Sequence, residues 1–343
     1  MFRYGMRLFG TPVLALALVL AVFTSPATAQ SKLRVAYGDV PSAESLNLLI
    51  ALEQIKARGV EVELLTVKSE DLAVQAVANG QADVGVGTPY AAMQRLKVPL
   101  RFFYQLSTLR FFPVVNGEFY KSWKDLDGQE FVVHSRGSGT EAIIKLMAQK
   151  HGITFKNLSY VPGSEVRALA LLRGNIKATI VDSANRRFIE REAPGKFIFL
   201  STGDTKATDD ALFARQEWLE RNAQVADIVV EEFLKVWREV KKNPAFVAEA
   251  RAKYGLLKDL PADLEKDIVP YYQEAAEAGV YPVDGGGVEA VKNDFAFFTL
   301  SGAIQGDPNT LKVEDFWNLE PLNRAIQKLG RQARLERPGT LAR

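Results

Sequence analysis

Phe131-Val-Val-His-Ser-Arg-Gly-Ser-Gly-Thr140 is the stretch from which the architecture of the chain can be worked out. A short apolar run ends in polar and glycine residues, and apolar residues then follow at helical spacing at positions 143, 144, 146 and 147. The pattern predicts a strand, a tight loop and a helix over 141–150. Free backbone N–H groups at the start of that helix, beside the hydroxyls of Ser138 and Thr140, suit a bound anion. The same residues are equally typical of a plain helix start with Thr140 as the N-cap.

The composition is that of an ordinary globular protein large enough for two domains. The chain has 343 residues, of which 47% are hydrophobic and 24% are charged, so it can bury a sizeable core. It contains no cysteine, which excludes disulfides, thiolate metal sites and cysteine nucleophiles. The two histidines, His134 and His151, would need carboxylates for most ligands of a zinc site, so we expect no bound metal.

The first 29 residues have the pattern of a cleavable export signal. Arg3 and Arg7 precede the apolar run 13–23, and small residues at 27–29 precede Gln30. That run is short for a transmembrane helix, although an uncleaved membrane anchor is the alternative. Removing residues 1–29 brings the formal net charge from +2 to zero, which leaves no basic footprint for nucleic acid. We therefore predict a periplasmic protein.

Strands and helices alternate through the first part of the mature chain. The sequence predicts strands over 33–37, 60–67 and 82–87, with helices over 43–57 and 71–79 between them. Ser42 is expected to cap the first helix, and Thr88-Pro-Tyr90 to open a third. This alternation indicates a mostly parallel sheet with helices on both faces.

The same order returns further along the chain. After the strand at 131 come a helix over 141–150, a strand over 158–161, a helix over 165–172 and a strand over 176–181. Residues 78–88 and 172–182 share one pattern, in which a helix ends at glycine and a short strand delivers a polar residue. We interpret this as two similarly built lobes, with one extended α/β sheet as the alternative. From Ala207 to Gly330 the pattern is mainly helical, so these helices are expected to pack on one of the lobes.

In its motifs the chain resembles the periplasmic substrate-binding proteins of ABC importers. The resemblance is to the branch with nitrate-, taurine-, alkanesulfonate- and thiamine-precursor-binding members, and it covers roughly residues 33–330. It rests on the order and spacing of Tyr37-Gly-Asp39, Ala78-Asn-Gly-Gln-Ala-Asp83, Trp123-Lys-Asp-Leu-Asp-Gly128, Arg136-Gly-Ser-Gly-Thr140, Leu172-Arg-Gly-Asn-Ile176 and Phe213-Ala-Arg-Gln-Glu-Trp-Leu219.

This resemblance implies an α/β fold of the type II periplasmic binding class. Two lobes, each a mixed, mostly parallel sheet flanked by helices, would be joined by two crossing strands, with a ligand in the cleft between them. The implied organisation is a signal peptide over 1–29, a first lobe over 30–107 that continues as a helical part over 204–330, a second lobe over 108–203, and a loose tail over 331–343.

The expected ligand-binding residues follow four predicted strands at their carboxyl ends, where open α/β sheets bind ligands. Ser42 could instead only cap its helix, and Tyr90 could pack between helices rather than stack on a ligand. Mapping the family's ligand loops onto this sequence gives Gly38, Asp39, Ser42, Thr88, Pro89, Tyr90, Ser135, Arg136, Gly137, Ser138, Gly139, Thr140, Asp182 and Asn185.

The branch implies a small organic anion of the sulfonate or carboxylate type, but Asp182 would repel an anion unless an arginine neutralises it. Asp182 would then hold an amine or hydroxyl of the ligand, or pair with Arg136 or Arg186. Arg136 either clamps a carboxylate or lies on the rim. Arg101 and Arg110, within aromatic crossing segments, either clamp the ligand or pack at the hinge.

We therefore predict a non-catalytic, monomeric receptor without a cofactor, with an ABC permease and its ATPase as partners. Two alternatives stay open. Gly137-Ser-Gly-Thr-Glu-Ala142 matches the G-x-G-x-x-A pattern of an NAD(P)-dependent oxidoreductase. The same loop is also at home in TAXI-type receptors of TRAP transporters. The sequence has no G-x-S-x-G elbow and no P-loop, the commonest hydrolase and NTPase signatures.

Overall fold

The computed structural model describes residues 31–203 and 205–332, together with residues 1, 2 and 5. The predicted signal peptide and nearly all of the predicted tail lie outside the described residues. Among the helices that are described, none combines the length and the apolar character needed to cross a membrane.

Ten strands in the described ranges form two five-stranded sheets. They are β1 (Lys32–Tyr37), β2 (Glu61–Thr66), β3 (Val84–Gly87), β4 (Leu100–Gln105), β5 (Phe112–Asn116), β6 (Glu130–Val133), β7 (Asn157–Tyr160), β8 (Ala178–Val181), β9 (Phe197–Phe199) and β10 (Ala211–Arg215). The first sheet has the order β2-β1-β3-β10-β4, and the second has the order β7-β6-β8-β5-β9.

The two sheets are built on the same plan. In the first, β1 pairs in parallel with β2 and β3, and β10 runs antiparallel between β3 and β4. In the second, β6 pairs in parallel with β7 and β8, and β5 runs antiparallel between β8 and β9. This confirms the prediction of two similarly built halves and excludes one continuous sheet.

Most of the predicted helical spans are confirmed, and three parts of the prediction are corrected. Residues 43–57 begin with a 3₁₀ turn at 43–45, and the predicted helical region 216–242 is broken at Asn222. Ala211–Arg215, placed by sequence in a mainly helical part, is the strand β10, because it pairs on both sides with β3 and β4. The helices are α1 (Leu46–Ala57), α2 (Glu70–Ala78), α3 (Tyr90–Arg95), α4 (Gly139–His151), α5 (Ser164–Leu172), α6 (Ser183–Glu192), α7 (Gln216–Arg221), α8 (Ala223–Lys242), α9 (Phe246–Tyr254), α10 (Ala262–Glu265), α11 (Ile268–Ala278), α12 (Val288–Leu300) and α13 (Glu320–Leu329).

The late helices extend the core of the first sheet. Helix α8 packs on α1, α11 and α13, and its residues Phe233 and Trp237 are buried with Ile50 of α1 in one apolar cluster. Each such side chain contributes roughly 1.5–3 kcal/mol on burial. The prediction that these helices pack on an existing sheet therefore agrees with the observed core.

Two chain segments cross between the sheets side by side. Thr108, between β4 and β5, and Thr208, between β9 and β10, form an antiparallel bridge. The amide of Leu109 donates to the carbonyl of Ala207 at 2.9 Å, and the amide of Leu106 donates to that of Asp210 at 2.8 Å. The crossing segments are thus hydrogen-bonded to each other where they enter and leave the two sheets.

Candidate functional site

A cleft lies where strand ends from both sheets meet. It contains about 1080 Å³ of space free of atoms, including the part that opens to solvent. The residues after the carboxyl ends of β1, β6 and β8 line it, as do residues before the amino ends of β5 and β10. Because β5 and β10 are antiparallel to their neighbours, their amino ends lie at the same sheet edges. Ligands of α/β sheets bind at such edges.

Six of the residues predicted from the sequence line this cleft. They are Gly38, Asp39, Ser138, Gly139, Thr140 and Asp182, which come from three of the four predicted strand ends. The loop after β3 is the fourth, and its residues Thr88 and Pro89 lie outside the lining. Ser42, Ser135, Arg136, Gly137 and Asn185 lie outside the lining as well.

Tyr90 belongs to the core instead of the cleft. It is fully buried, and its hydroxyl donates to Oδ2 of Asp294 at 2.6 Å. The hydroxyl oxygen of Tyr90 also accepts from Nε1 of Trp317 at 2.8 Å. Its ring centroid lies 4.7 Å from that of Phe102 and 4.9 Å from that of Phe298. The structure therefore favours the packing alternative, and we do not propose Tyr90 as a ligand contact.

The glycine-rich loop before α4 binds a carboxylate of its own. The amide of Gly137 donates to Oε2 of Glu141 at 2.7 Å. Burial opposes ionisation of Glu141, but hydrogen bonds from Lys145, Gly137 and Tyr160 outweigh it and lower the pKa of this carboxyl. The expected anion site is thus partly occupied by the chain itself.

The cap of α4 also differs from the prediction. Ser138, in an extended conformation, is the N-cap, and its hydroxyl accepts from the amide of Glu141 at 3.3 Å. Thr140 was predicted for this role, but it lies inside the first turn, where its hydroxyl accepts from the amide of His134 at 3.1 Å. The prediction of Thr140 as the cap was wrong by two residues.

Six carboxyl groups of the described residues line the cleft: those of Asp39, Glu44, Glu70, Asp182, Asp209 and Asp210. Burial raises the pKa of Asp39 to about 6 and, together with the charge of Asp39, that of Asp210 to about 7. Burial and neighbouring acids raise the pKa values of Glu44, Glu70 and Asp209 well above their usual range. The cleft is therefore rich in carboxyl groups that cannot all ionise together unless a positive charge joins them.

Asp182 pairs with none of the arginines expected for it. It is the N-cap of α6 and accepts from the amide and the side-chain amide of Asn185, each at 2.8 Å. Burial, and then the charge of Asp182, raise the pKa of the Glu44 carboxyl, which lines the same cleft. Arg186 instead pairs with Glu190, and the exposed Arg136 lies over the ring of Tyr160 at 5.3 Å. Arg136 is thus a rim residue.

Arg167, which the sequence did not single out, is the buried cation of the cleft. It is 1% exposed, and its Nε and Nη1 donate to the carbonyls of Ile180 and Val161 at 3.1 and 2.8 Å. Within the part of the chain that the structure describes, Nη2 has no hydrogen-bond acceptor and no carboxylate in ion-pair distance. The other lining arginine, Arg110, is bound to Glu274 at 2.9 Å. Arg101 binds the carbonyl of Leu100 and lies outside the lining.

His134 stands between two of the acids without bonding to either. Its Nδ1 lies 3.7 Å from Oδ2 of Asp39, and its Nε2 lies 3.9 Å from Oε1 of Glu70. Burial, and then the charge of Arg167, lower the pKa of His134 to about 3. The imidazole is therefore neutral and offsets none of the surrounding negative charge.

Aromatic residues form the remaining wall. Trp237 of α8, Tyr271 of α11 and Tyr281 line the cleft, and Oη of Tyr281 lies 3.4 Å from Oη of Tyr271. Among residues 31–203 and 205–332, no group of three or more histidine, aspartate and glutamate side chains is arranged to hold a metal ion. The lining thus combines carboxylates with aromatic rings.

Sequence reasoning missed Glu44, Glu70, Arg167, Asp209 and Asp210. Glu44 and Glu70 stand in first turns of helices, where acidic residues are common for reasons of capping alone. The pair Asp209-Asp210 directly precedes the apolar run of β10, and identifying that run as a strand would have found them.

Two sheets of the same plan facing one cleft define the periplasmic-binding-protein fold. Several solved structures superpose on the chain. A protein from Bordetella bronchiseptica RB50 does so with a TM-score of 0.71 and 20% identity, over 88% of this chain and 98% of its own. The periplasmic nitrate-binding protein NrtA from Synechocystis PCC 6803 gives 0.66 and 15%, over 88% and 90%. The sulfonate-binding protein SsuA from Methylobacillus flagellatus KT gives 0.54 and 19%, over 87% and 94%. At these identities the similarity shows the fold.

The chain belongs to the NMT1/THI5-like family, whose model matches residues 54–246. None of the curated proteins matches this sequence.

Proposed function

We propose that the protein is an exported, non-catalytic receptor that captures a small organic solute and delivers it to an ABC permease and its ATPase. The observation that carries the proposal is the convergence of strand ends from both sheets on one cleft. We assign residues 30–107 and 204–330 to one lobe and residues 108–203 to the other, with the receptor working as a monomer. Membership of the NMT1/THI5-like family and the similarity to nitrate- and sulfonate-binding proteins support this function.

Capture depends on a difference between two states. A solute that touches residues of both lobes stabilises the closed state, because the open state lacks half of those contacts. The paired segments at Thr108 and Thr208 are the natural hinge, since they are the connections between the sheets. The permease then recognises the closed, solute-bound form of the receptor.

The loop at Gly137 supports a receptor over a dinucleotide-dependent enzyme. The amide of Gly137 is already bound to Glu141, and a Cβ on Gly139 would lie 2.3 Å from Cδ2 of Leu109. A dinucleotide site keeps its second glycine bare so that a pyrophosphate can approach the backbone. Here the space beside Gly139 is filled by a leucine of the crossing segment.

Thermal unfolding against a panel of small acids, amines, amino acids and NAD(P) tests the proposal. A true ligand at about a hundred times its dissociation constant adds roughly 2.7 kcal/mol of stability. We expect a small solute to raise the melting temperature and NAD(P) to leave it unchanged. A shift with NAD(P) alone would overturn the receptor function. Neighbouring genes for an ATPase and a permease support the ABC partner, whereas a large TRAP-type membrane subunit would favour the TAXI-type alternative.

A further inference from the structure

We propose that the solute carries a positively charged nitrogen, held among the acidic and aromatic side chains of the cleft, and a hydrogen-bond-accepting group that faces Arg167. This inference rests on the proposed receptor function and names its ligand class. It refines the expectation of a small organic acid by adding a positively charged nitrogen to the solute.

The first argument is the balance of charge in the lining. Six carboxyl groups face the space, while Arg110 is bound to Glu274 and Arg167 is the cation left to offset them. A solute with only negative charge would be repelled by every carboxyl that ionises and would disfavour ionisation of the others. A protonated amine reverses that repulsion and allows the carboxyls to ionise.

The second argument is the placement of the acids on both sides of the closing gap. Glu44 follows β1 of the first sheet, and Asp182 follows β8 of the second. Both carboxyls line the cleft, and the charge of Asp182 raises the pKa of Glu44, so the two groups are close enough to oppose each other's ionisation. An ammonium group in that position would donate to both carboxylates at once. It would therefore hold the two sheets together, as a solute that drives closure must do.

The third argument is Arg167, which is independent of the acids. Its guanidinium is 1% exposed and lines the cleft, and within the described residues its Nη2 has no acceptor. A guanidinium nitrogen that lines a cleft and has no acceptor within the described protein is free to donate to a solute. A carboxylate, sulfonate or carbonyl oxygen of the solute would supply the missing acceptor.

The aromatic wall agrees with the same ligand. Trp237, Tyr271 and Tyr281 line the same cleft as the acids. Aromatic faces attract cations, and sites for ammonium ligands commonly combine such rings with carboxylates. The rings also exclude water from the alkyl part of an amine.

A matched set of compounds tests the inference. Each carbon chain of two to six carbons is offered as the amine, as the carboxylate and as the amino acid carrying both groups, with n-butylamine, butyrate and 4-aminobutyrate as the central trio. Stability is followed by thermal unfolding at pH 8, and dissociation constants by calorimetry. We expect compounds with the amine to bind, compounds with both groups to bind at least tenfold more tightly, and the carboxylates alone to bind weakly or not at all.

The other outcomes separate the two claims. If a carboxylate or a sulfonate binds more tightly than its amine-bearing counterpart, the ligand class is wrong and the receptor function stands. If no compound in the set or in the wider panel binds, both are overturned.

Two variants link the charge preference to named side chains. Asp210→Asn and Glu44→Gln should each weaken binding of the amine compounds at least tenfold. Asp227→Asn is the control, because Asp227 pairs with Arg324 on an exposed surface outside the cleft. This variant should bind the amine compounds as tightly as the unaltered protein does. Circular dichroism verifies that each variant is folded. Unchanged amine affinity in folded Asp210→Asn and Glu44→Gln would overturn the inference.

Discussion

Oη of Tyr90 lies 2.6 Å from Oδ2 of Asp294, which ties the start of α3 to the middle of α12. The same carboxylate accepts from the amide and the hydroxyl of Thr208, at 2.6 and 2.7 Å. One buried acid thus joins α3 and α12 to the segment that crosses between the sheets.

Tyr90→Phe should destabilise the fold and leave solute binding unchanged. The substitution removes the donor to Asp294 and leaves Nε1 of Trp317 without its acceptor, which costs about 1–3 kcal/mol per unsatisfied group. Urea unfolding measures the loss. Tyr120→Phe is the control, because its hydroxyl bonds at 3.2 Å to Gln129 in a half-exposed position and should cost less. A loss of affinity at unchanged stability would place Tyr90 back among the ligand contacts.

Asp294 should make the protein less stable as the pH rises from about 4 to about 7. Burial raises the pKa of Asp294 to about 7, despite hydrogen bonds from Tyr90 and Thr208 that lower it. An unfolded aspartate titrates near pH 4, so between these values the folded state holds the extra proton. Stability therefore falls through this window, by an amount on the order of 2–4 kcal/mol for this group.

Comparison of the unaltered protein with Asp294→Asn isolates this group. The variant keeps an acceptor for Thr208 but cannot titrate, so its unfolding free energy should fall less between pH 4.5 and pH 7.5. Equal slopes in the two proteins would contradict the assignment.

The unliganded cleft should open as the pH rises. Burial and the charges of Asp182, Asp209 and Asp39 raise the pKa of Glu44, so low pH keeps a proton on this carboxyl. Loss of that proton sets two carboxylates against each other across the gap. Since the sequence has no cysteine, Lys97→Cys and Lys150→Cys can carry a fluorescent pair with one label on each lobe. Energy transfer should fall as the pH is raised above the usual range of a glutamate, and Glu44→Gln should weaken that response. A pH response unaltered by Glu44→Gln would argue against this carboxyl pair.

Gly38→Ala should disturb the site through the backbone. A Cβ at Gly38 would lie 2.6 Å from the amide nitrogen and 2.7 Å from Cα of Glu70, so the start of α2 must shift. Overpacking of this kind costs about 1–3 kcal/mol, and here it also moves a lining carboxyl. We expect lower stability by urea unfolding together with weaker solute binding. Full affinity with full stability would show that the contact is easily relieved.

Ser138→Ala should weaken the start of α4. The variant loses the cap to the amide of Glu141 and the hydrogen bond to the carbonyl of Ser135, and removal of an N-cap costs about 1 kcal/mol. Thr140→Val is the comparison, since it removes a hydroxyl from the same turn without removing the cap. A larger loss of unfolding free energy in Thr140→Val would contradict the assignment of Ser138 as the cap.

The sequence was sufficient for the two-sheet plan because glycines mark the helix ends. Gly80 and Gly174 both adopt positive φ after a helix and before a strand, so the repeated pattern reflected a real structural repeat. Residues 211–215 could not be identified in the same way. They lie in a strand because β3 and β4 offer pairing partners on both sides, which is a tertiary effect that local pattern does not contain.

Lining residues that stand just after a strand could be predicted from the sequence, whereas lining residues within helices could not. Asp39 and Asp182 each stand just past a strand, and both line the cleft. Arg167 lies within α5, where nothing in the sequence distinguishes it from an exposed arginine. The negative character of the cleft depends on the convergence of acids from distant segments, so it emerges only in three dimensions.

Energy transfer between labels at positions 97 and 150, measured with and without a stabilising solute at pH 8, tests the central claim most directly. A pair at positions 97 and 242, both in the first lobe, is the control. We expect solute to increase transfer in the first pair and to leave the second unchanged, because the solute draws the two lobes together. A solute that raises the melting temperature but leaves both signals unchanged would contradict capture by closure between the lobes.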